Sequence, residues 1–371
     1  MNTLIEFLSD LETTEEYNGY ICSVKDAVTI VILGSICGLK NVKQIHQWAS
    51  NDKITEFLKE KFQIERVPCY YWLLCLLKLV KPESLNKCFT QWVESVLPQE
   101  SRNLTISVDG KTIRSTNKME NYETPLHIVS AFISEMGMTF GQKSVEGKSN
   151  EIPAVQDLIK ELNVKDCVVV ADALNCQKET AKVVIKGKGD YLLCVKDNHT
   201  NLKKNIKEYV NDAQLRNGMM SKNVCEKNRE RFESRTAYIT EDIEWLENKE
   251  EWEKIKCIGA IYKEVEDKKG KTSEWHYYIT SKKMTADELL YYARMEWSVE
   301  TMHWILDVNL REDYCRVEDK NIQKNLNMLR KSALNIIKQY KERTSSKKAI
   351  SNIMLDCLIS CTNLLKVIYE N

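Results

Sequence analysis

Ile106-Ser107-Val108-Asp109-Gly110-Lys111 and Val168-Val169-Val170-Ala171-Asp172 are two short runs that each bring an aspartate to the end of a predicted strand. The first alternates apolar and polar residues, and the second is continuously apolar, as expected for the buried centre of a mixed sheet. An acid at the C-terminal end of a buried strand lies at the rim of a sheet, where α/β proteins place their sites. These runs predict a sheet with two carboxylates at its edge.

The elements around these runs indicate a mixed sheet. Strands are predicted at 127–134 and 138–145, with Met136-Gly137 as the turn between them, and at 191–195. Helices are predicted at 151–162, 177–185 and 200–211. The first three strands form an antiparallel meander and the later ones parallel crossovers. This order is the ribonuclease H-like pattern, so we expect an α/β fold with a mixed five-stranded core flanked by helices.

Five segments divide the chain. Residues 1–98 are predicted to be an N-terminal helical domain, either a plain bundle or a DNA-end-binding helix-turn-helix. Residues 99–212 are the first part of the catalytic core, and residues 213–283 are a β-rich insertion with strands near 235–239, 255–262 and 275–280. Residues 284–345 complete the core with a long helix from Ala286 beyond Trp304. Residues 346–371 form a helical tail.

The composition is ordinary for a soluble globular protein, and basic residues are concentrated in parts of the chain. The chain has 371 residues, 43% apolar and 29% charged, with a formal net charge of zero. A zero net charge argues against a protein that coats nucleic acid along its whole surface. Basic residues exceed acidic ones at 178–207 (eight to three) and at 301–371 (twelve to eight). Any field that attracts DNA is therefore expected to be local.

Cysteine and apolar patterning favour a cytoplasmic protein. Thirteen cysteines occur without a Cys-x-x-Cys pair, and only five histidines are present, which argues against a disulfide framework or a zinc site. The start of the chain lacks the basic region of a signal peptide, and no apolar run is long enough to cross a bilayer. We therefore expect cytoplasmic, nucleoid-associated localisation and no membrane partner.

A third acid, Glu300, lies on a predicted aromatic helix, with Trp297, Trp304 and Asp307 at helical spacing. Both tryptophans are expected to be core residues that fix this helix. Three carboxylates supply the oxygen ligands that a Mg²⁺ pair needs for phosphoryl transfer. Each acid also has a plainer interpretation: a turn residue for Asp109, a helix N-cap for Asp172, and an ion pair with Arg294 or Lys283 for Glu300.

The residues that flank the three acids resemble one family. Ile106 to Arg114, Lys148 to Ala154, Val170 to Lys178, Asp190 to Asn198 and Glu296 to Asp313 are similar to the DDE-type insertion-sequence transposases. The similar branch includes the H-repeat-associated proteins of Rhs elements. The resemblance runs along nearly the whole chain in the right order.

The resemblance implies a site and a reaction. Asp109, Asp172 and Glu300 would be the catalytic, metal-binding triad, with two Mg²⁺ ions for which Mn²⁺ can substitute. The activity implied is Mg²⁺-dependent cleavage of element ends and strand transfer into target DNA. The partners implied are double-stranded DNA, as terminal inverted repeats and target, and a second copy of the chain on DNA. Asp307, Trp297 and Trp304 would support the triad. The residues predicted to contact DNA are Lys111, Arg114, Lys148, Gln177, Lys178, Lys196, Arg235, Arg294 and His303.

Three departures from the branch pattern keep other functions open. Glu296 stands where the branch has His, Thr301 where it has Asn, and Arg229-Glu230-Arg231 where it has His-Gly-Arg. One alternative is a catalytically impaired, transposase-derived DNA-binding protein. Another is a nuclease of RNA–DNA hybrids, which the insertion and the N-terminal block disfavour. No Gly-x-x-x-x-Gly-Lys-[Ser/Thr] motif occurs, consistent with transesterification, which needs no ATP.

Overall fold

The computed structural model describes residues 3–17, 22–98, 103–118, 124–228, 231–268 and 270–369, so Arg229 and Glu230 lie outside the described residues. The α-helices are α1 (Leu4–Phe7), α2 (Val24–Ile36), α3 (Val42–Ala49), α4 (Asp52–Phe62), α5 (Tyr70–Leu79), α6 (Pro82–Val96), α7 (Glu151–Glu161), α8 (Lys178–Lys186), α9 (Thr200–Asn211), α10 (Ala213–Asn217), α11 (Ala286–Met295), α12 (Ser298–Leu310), α13 (Lys320–Arg343), α14 (Ile350–Ile359) and α15 (Cys361–Tyr369). The strands are β1 (Thr105–Thr112), β2 (Leu126–Ile133), β3 (Met138–Glu146), β4 (Val168–Ala171), β5 (Asp190–Val195), β6 (Met220–Asn228), β7 (Arg231–Thr240), β8 (Cys257–Asp267) and β9 (Gly270–Thr280).

The chain is a mixed α/β protein that divides into two compact units. The first unit contains Met1–Pro98, Gly110–Glu151 and Glu300–Asn371, and the second contains Gln99–Asp109 and Ile152–Val299. The boundaries fall inside β1, between Asp109 and Gly110, and inside α12, between Val299 and Glu300. None of the described helices is long and apolar enough to span a membrane.

The first unit is organised around α13, which has 24 residues and contacts α2, α5, α6, α15 and β3. Its buried face carries amides that satisfy backbone groups of its neighbours. Asn325 donates to the carbonyls of Leu77 and Val80, and Asn335 donates to that of Thr139. Buried amides need such partners because an unpaired polar group costs about 1–3 kcal/mol. The described residues before Pro98 form six α-helices, as the helical pattern of this segment predicts.

A hairpin of β2 and β3 also belongs to the first unit. The two strands pair antiparallel from Leu126–Glu146 to Ile133–Met138, with a register shift between Ala131 and Phe132. Gly137 has a φ of +64° in the connecting turn, a conformation that a glycine adopts without steric cost. The predicted turn is thereby confirmed.

The second unit contains a sheet of strand order β1-β4-β5-β9-β8-β7-β6. β1, β4 and β5 are parallel, and the four later strands are antiparallel to their neighbours. Helix α11 covers one face, where Leu289 packs in a core with Val170, Ile239 and Ile261. Strand β6 escaped sequence prediction because Met220–Asn228 is polar and lies at the exposed edge of the sheet.

The prediction of one continuous helix from Ala286 beyond Trp304 is wrong. Helix α11 ends at Met295 and α12 begins at Ser298. The Ser298 hydroxyl donates to the Met295 carbonyl at 2.6 Å across this break. Glu300 therefore lies in the first turn of a separate helix, α12.

The basic C-terminal patch is smaller than the sequence predicts. Helix α13 directs Arg330 and Lys331 into the interior, where they are 5% and 1% exposed. Lysines near the surface remain at both ends of α13, such as Lys320 and Lys341, and beyond it at Lys347. All thirteen cysteines are free thiols. Of the five that lie in apolar runs of the sequence, Cys22, Cys37, Cys167 and Cys194 are buried, and Cys75 is half-buried.

Candidate functional site

Asp109 and Asp172 occupy matching positions on neighbouring parallel strands. β1 and β4 pair with Val108 opposite Ala171, and the two aspartates come next along each chain. Neighbouring strands are about 4.8 Å apart, so the two carboxylates leave adjacent backbone positions. Both residues are half-buried. Strand β1 continues to Thr112, so Asp109 lies inside the strand, and the predictions that it ends a strand or occupies a turn are wrong. Asp172 directly follows β4. The second unit therefore holds two acids at neighbouring backbone positions beside the carboxyl end of β4.

The polar face of β1 is covered near Asp109. Residues two apart on a strand share a face, so Ser107 and Asp109 point to the same side. The Ser107 hydroxyl donates to the carbonyl of Met295 at 2.6 Å, at the end of α11. Ser107 itself is fully buried. The end of α11 thus limits the approach to Asp109 from this side.

Asp172 begins a tight turn instead of capping a helix. Its Oδ1 accepts from the backbone N–H of Asn175 at 3.1 Å and from the side-chain amide of Asn175 at 3.0 Å. Helix α8 begins later, with Gln177 at its N-cap and no side-chain cap bond. The alternative that Asp172 is a helix N-cap is therefore wrong. Neutral donors hold one of its oxygens.

Glu300 lies in the first turn of α12, in the first unit, and its side chain is exposed. Among the residues that the structure describes, no three His, Cys, Asp or Glu side chains form a group that could hold a metal ion. The register of β1 and β4 brings the two aspartates to neighbouring backbone positions. That Glu300 shares their site stays a prediction.

The expectation that Trp297 and Trp304 are core residues is wrong. Trp297 is 54% exposed and Trp304 is 62% exposed. Helix α12 is fixed by its other face, where Met302, Leu306 and Leu310 are buried. Helical spacing alone could not identify the buried face, because this helix is apolar on several sides.

Lys111 lies within a group of carboxylates and is not an open phosphate contact. Its amine donates to Asp307 at 2.6 Å and to Glu312 at 2.8 Å, and lies 3.7 Å from Asp313. Its side chain is 14% exposed, and that of Glu312 is 1% exposed. The structure therefore corrects the prediction that Lys111 binds DNA, and it makes Asp307 an ion-pair partner of Lys111.

Charge pairing determines how these groups titrate. Burial alone would lower the pKa of Lys111, but Glu312 and Asp307 outweigh it and raise that pKa. Burial raises the pKa of Glu312, but Lys111 and Lys331 outweigh it and lower that pKa. Lys111 and Glu312 are therefore both charged at neutral pH. Sequence reasoning missed this group because nothing in the spacing of residues 111 and 312 indicates that they meet.

Gly110 is required by packing within the first unit. A Cβ at this position would lie 2.3 Å from His127 Nε2 and 2.6 Å from Glu151 Oε2. Those two buried side chains are 2.8 Å apart in a hydrogen bond. Any side chain at position 110 would therefore clash with this buried pair.

His303 does not offer a positive charge to DNA. Burial and the neighbouring amine of Lys331 lower its pKa to about 3, against the opposing effect of Glu312. Its Nε2 atom is buried. A neutral, buried ring cannot attract a phosphate electrostatically, so its predicted DNA contact is corrected.

The remaining residues predicted to contact DNA are three ion-paired cations, three exposed cations and one glutamine. Lys178, Arg235 and Arg294 form ion pairs with Glu251, Glu233 and Glu226 respectively. Arg114, Lys148 and Lys196 are exposed, Arg114 with a 3.5 Å contact to Asp313. Gln177 is half-buried and donates to the Leu174 carbonyl. The exposed cations are the better candidates for phosphate contacts.

Comparison with known proteins identifies a family. A model described as transposase DDE domain matches residues 100–336, and a second, described as DDE_Tnp_1-associated, matches residues 5–93. The H repeat-associated protein YhhI of Escherichia coli strain K12 is 28% identical over 323 residues, 85% of this chain and 84% of that protein. The resemblance to the H-repeat branch is therefore confirmed.

Two further similarities cover most of the chain. The protein YncI of Escherichia coli O157:H7 is 28% identical over 383 residues, 98% of this chain and 96% of that protein. A cryo-EM structure of the piggyBac transposase synaptic complex with hairpin DNA has a TM-score of 0.45 and 9% identity, covering 95% of this chain and 75% of that one. At this TM-score and identity, the likeness supports no conclusion about this chain.

Proposed function

The chain belongs to the transposase DDE domain family, and on that premise we propose that it cleaves the ends of an insertion sequence and joins them to target DNA. The observation that carries this proposal is the register of β1 and β4, from which Asp109 and Asp172 follow at neighbouring backbone positions. We assign Asp109, Asp172 and Glu300 as the catalytic carboxylates. The assignment of Glu300 rests on sequence order and family resemblance.

The carboxylates fit divalent cations. Mg²⁺ prefers oxygen ligands and is usually held by one or two carboxylates together with water and substrate phosphates. Asp109 and Asp172 supply such oxygens, and we propose that Glu300 completes the set for two Mg²⁺ ions, with Mn²⁺ as a substitute. When bound, the cations would lower the pKa of the attacking water and neutralise charge on the phosphate.

The residues of the chain would position the DNA. Exposed cations at Arg114, Lys148 and Lys196 would hold backbone phosphates on double-stranded DNA, at terminal inverted repeats and at the target. The neutral donors on Asp172 leave its negative charge in place for a cation. A second copy of the chain would supply the site for the other element end.

We further propose that the fold is ribonuclease H-like, with the core at 99–212 and 284–345 and the insertion at 213–283. The parallel order β1-β4-β5 and the antiparallel hairpin β2–β3 support this assignment. Strands β6 to β9 support a β-rich insertion, and they extend the sheet from β5. The helices before Pro98 support an N-terminal helical domain.

A nicking assay on DNA with the cognate element ends tests the activity. With Mg²⁺, the wild-type chain should nick the DNA and, in a second step, transfer the strand. Asp172→Asn should abolish nicking and leave DNA binding intact, because the amide keeps the shape but loses the charge.

The control is Asp166→Asn, the same change at the other end of β4. Asp166 has a φ of +58°, which asparagine also tolerates, so nicking should be unchanged. Equal nicking by wild type and Asp172→Asn would remove Asp172 from the site. Binding without nicking by the wild type would instead identify a transposase-derived DNA-binding protein.

A further inference from the structure

The turn that starts at Asp172 is held from outside by two side chains that follow β5. We call residues 172–176 the Asp172 loop. The amide of Asn198 donates to the Ala173 carbonyl at 2.6 Å. His199 Nε2 lies 2.6 Å from the Cys176 carbonyl, and because a carbonyl only accepts, Nε2 must carry the proton. Both ends of the loop are thus fastened to one short segment.

Asn198 and His199 lie just after β5, the strand next to β4. Ala171 pairs with Leu193 across β4 and β5, so the end of β5 lies beside the start of the Asp172 loop. The His199 ring packs edge-on against Trp252, with ring centroids 5.2 Å apart. Lys178, just after the loop, forms an ion pair with Glu251. The segment around Trp252 therefore contacts both His199, which holds the loop, and Lys178, which follows it.

We propose that Asn198 and His199 are positioning residues that hold the Asp172 loop, and through it the Asp172 carboxylate, in the geometry that binds a metal ion. The role of Asp172 rests on the proposed function. Inside the loop, Asn175 is fully buried and holds Asp172 Oδ1 through two donors. Asn198 and His199 hold the carbonyls of Ala173 and Cys176, one on each side of Asn175. Removing these two hydrogen bonds would therefore weaken the hold of Asn175 on Asp172.

The positions of these bonds distinguish positioning from general stability. Asn198 is exposed apart from its bonded amide, and it lies in a short turn outside the main core. Removing its amide would cost the fold little but would free the Ala173 carbonyl, one residue from Asp172. Partners of metal ligands typically change metal affinity by about ten- to a hundredfold when they are removed.

The test compares Asn198→Ala, Asn198→Asp, His199→Ala and His199→Gln in the full chain. Asn198→Asp keeps the size but loses the donor, and His199→Gln keeps an N–H donor. The control is Asn201→Ala, an exposed asparagine in the next helix. Calorimetry measures Mn²⁺ binding, and hydrogen exchange measures protection of the Asn175 amide, which needs neither metal nor activity.

Both Asn198 variants and His199→Ala should raise the Mn²⁺ Kd roughly tenfold to a hundredfold and should speed exchange at Asn175. His199→Gln should restore much of both, and Asn201→Ala should match the wild type. Wild-type Kd and exchange in Asn198→Ala would overturn the proposal. Equal loss in His199→Gln and His199→Ala would overturn the role of the donated hydrogen bond. If the wild type binds no Mn²⁺, the proposed function fails, while exchange at Asn175 still decides whether the loop is held.

Discussion

Asp109 and Lys111 are two residues apart on β1, but their surroundings differ in kind. Asp109 is the last residue of β1 that belongs to the second unit. It lies next to Asp172 in the register of β1 and β4. The Oδ1 atom of Asp172 accepts from neutral donors of Asn175. Lys111, in the first unit, is enclosed by the carboxylates of Asp307 and Glu312. Acidic groups thus occur in both places, and those around Lys111 are neutralised by its amine.

This difference separates two uses of a carboxylate. A carboxylate held by neutral donors keeps its charge and can attract a cation. A carboxylate paired with a buried lysine has its charge balanced already and contributes to the fold, and losing one partner leaves the other exposed to the full cost of burial. A substitution at Asp109 should therefore reduce activity, and one at Lys111 should reduce stability, although both residues lie on β1.

Asp109→Asn should have the largest effect on activity. We expect Mg²⁺-dependent nicking to fall at least roughly a thousandfold, about 4 kcal/mol of activation free energy, because a cation loses a charged ligand. The free energy of unfolding should change by less than about 1 kcal/mol. Single-turnover nicking and urea denaturation measure the two quantities. A variant that unfolds easily but still nicks would reverse the comparison.

Lys111→Met should do the opposite and reduce stability. Removing the amine leaves buried Glu312 without its main counter-charge, so the free energy of unfolding should fall by about 3–5 kcal/mol. Urea denaturation measures this loss. The control is Arg114→Met, whose side chain is 83% exposed and should change stability by less than about 0.5 kcal/mol. A loss below about 1 kcal/mol for Lys111→Met would show that the carboxylates do not depend on this lysine.

Lys331 makes the first unit sensitive to pH. Burial lowers its pKa to about 7, below the usual 10.5, while its amine donates to Ser130 and Gln142. Between about pH 7 and 10.5 the unfolded chain therefore holds more protons at this group, and the contribution of Lys331 to stability rises with pH. The unfolding free energy of the wild type minus that of Lys331→Met should therefore increase as the pH is raised from about 7 to about 10.5. A constant difference would contradict the lowered pKa.

The smallest effects should appear in DNA binding. Lys196 is exposed, so Lys196→Ala should reduce the slope of log affinity against log salt by about 0.9. Lys178→Ala should reduce it less, because Glu251 already pairs with Lys178. Affinity titrations at several salt concentrations decide this. Equal slopes for the two variants would show that the ion pair opens on DNA.

Sequence reasoning predicted the fold best where the pattern is local. The alternation in β1 and the apolar run of β4 identified both strands and the aspartate that follows β4, but not that β1 continues past Asp109 to Thr112. Helix α9 has its predicted bounds because its apolar residues follow helical spacing. The polar edge strand β6 and the break before Ser298 depend on neighbours and a single hydroxyl, so no local pattern predicted them.

The candidate site shows the same limit more strongly. Residue type and strand position identified Asp109 and Asp172. They did not predict that Lys111 and His303 would be enclosed by buried charges, because the partners of these residues come from distant parts of the chain. The exposure of Trp304 was missed for a related reason: an apolar side chain does not reveal which face of a helix is covered.

The central claim is that Asp109 and Asp172 form one cation site. Calorimetric titration of Mn²⁺ into the full chain, without DNA, tests it most directly, with wild type compared with the Asp109→Asn/Asp172→Asn double variant. The account predicts saturable binding by the wild type and at least a roughly hundredfold higher Kd in the double variant, with the same thermal unfolding midpoint. The same Kd in both proteins would contradict it.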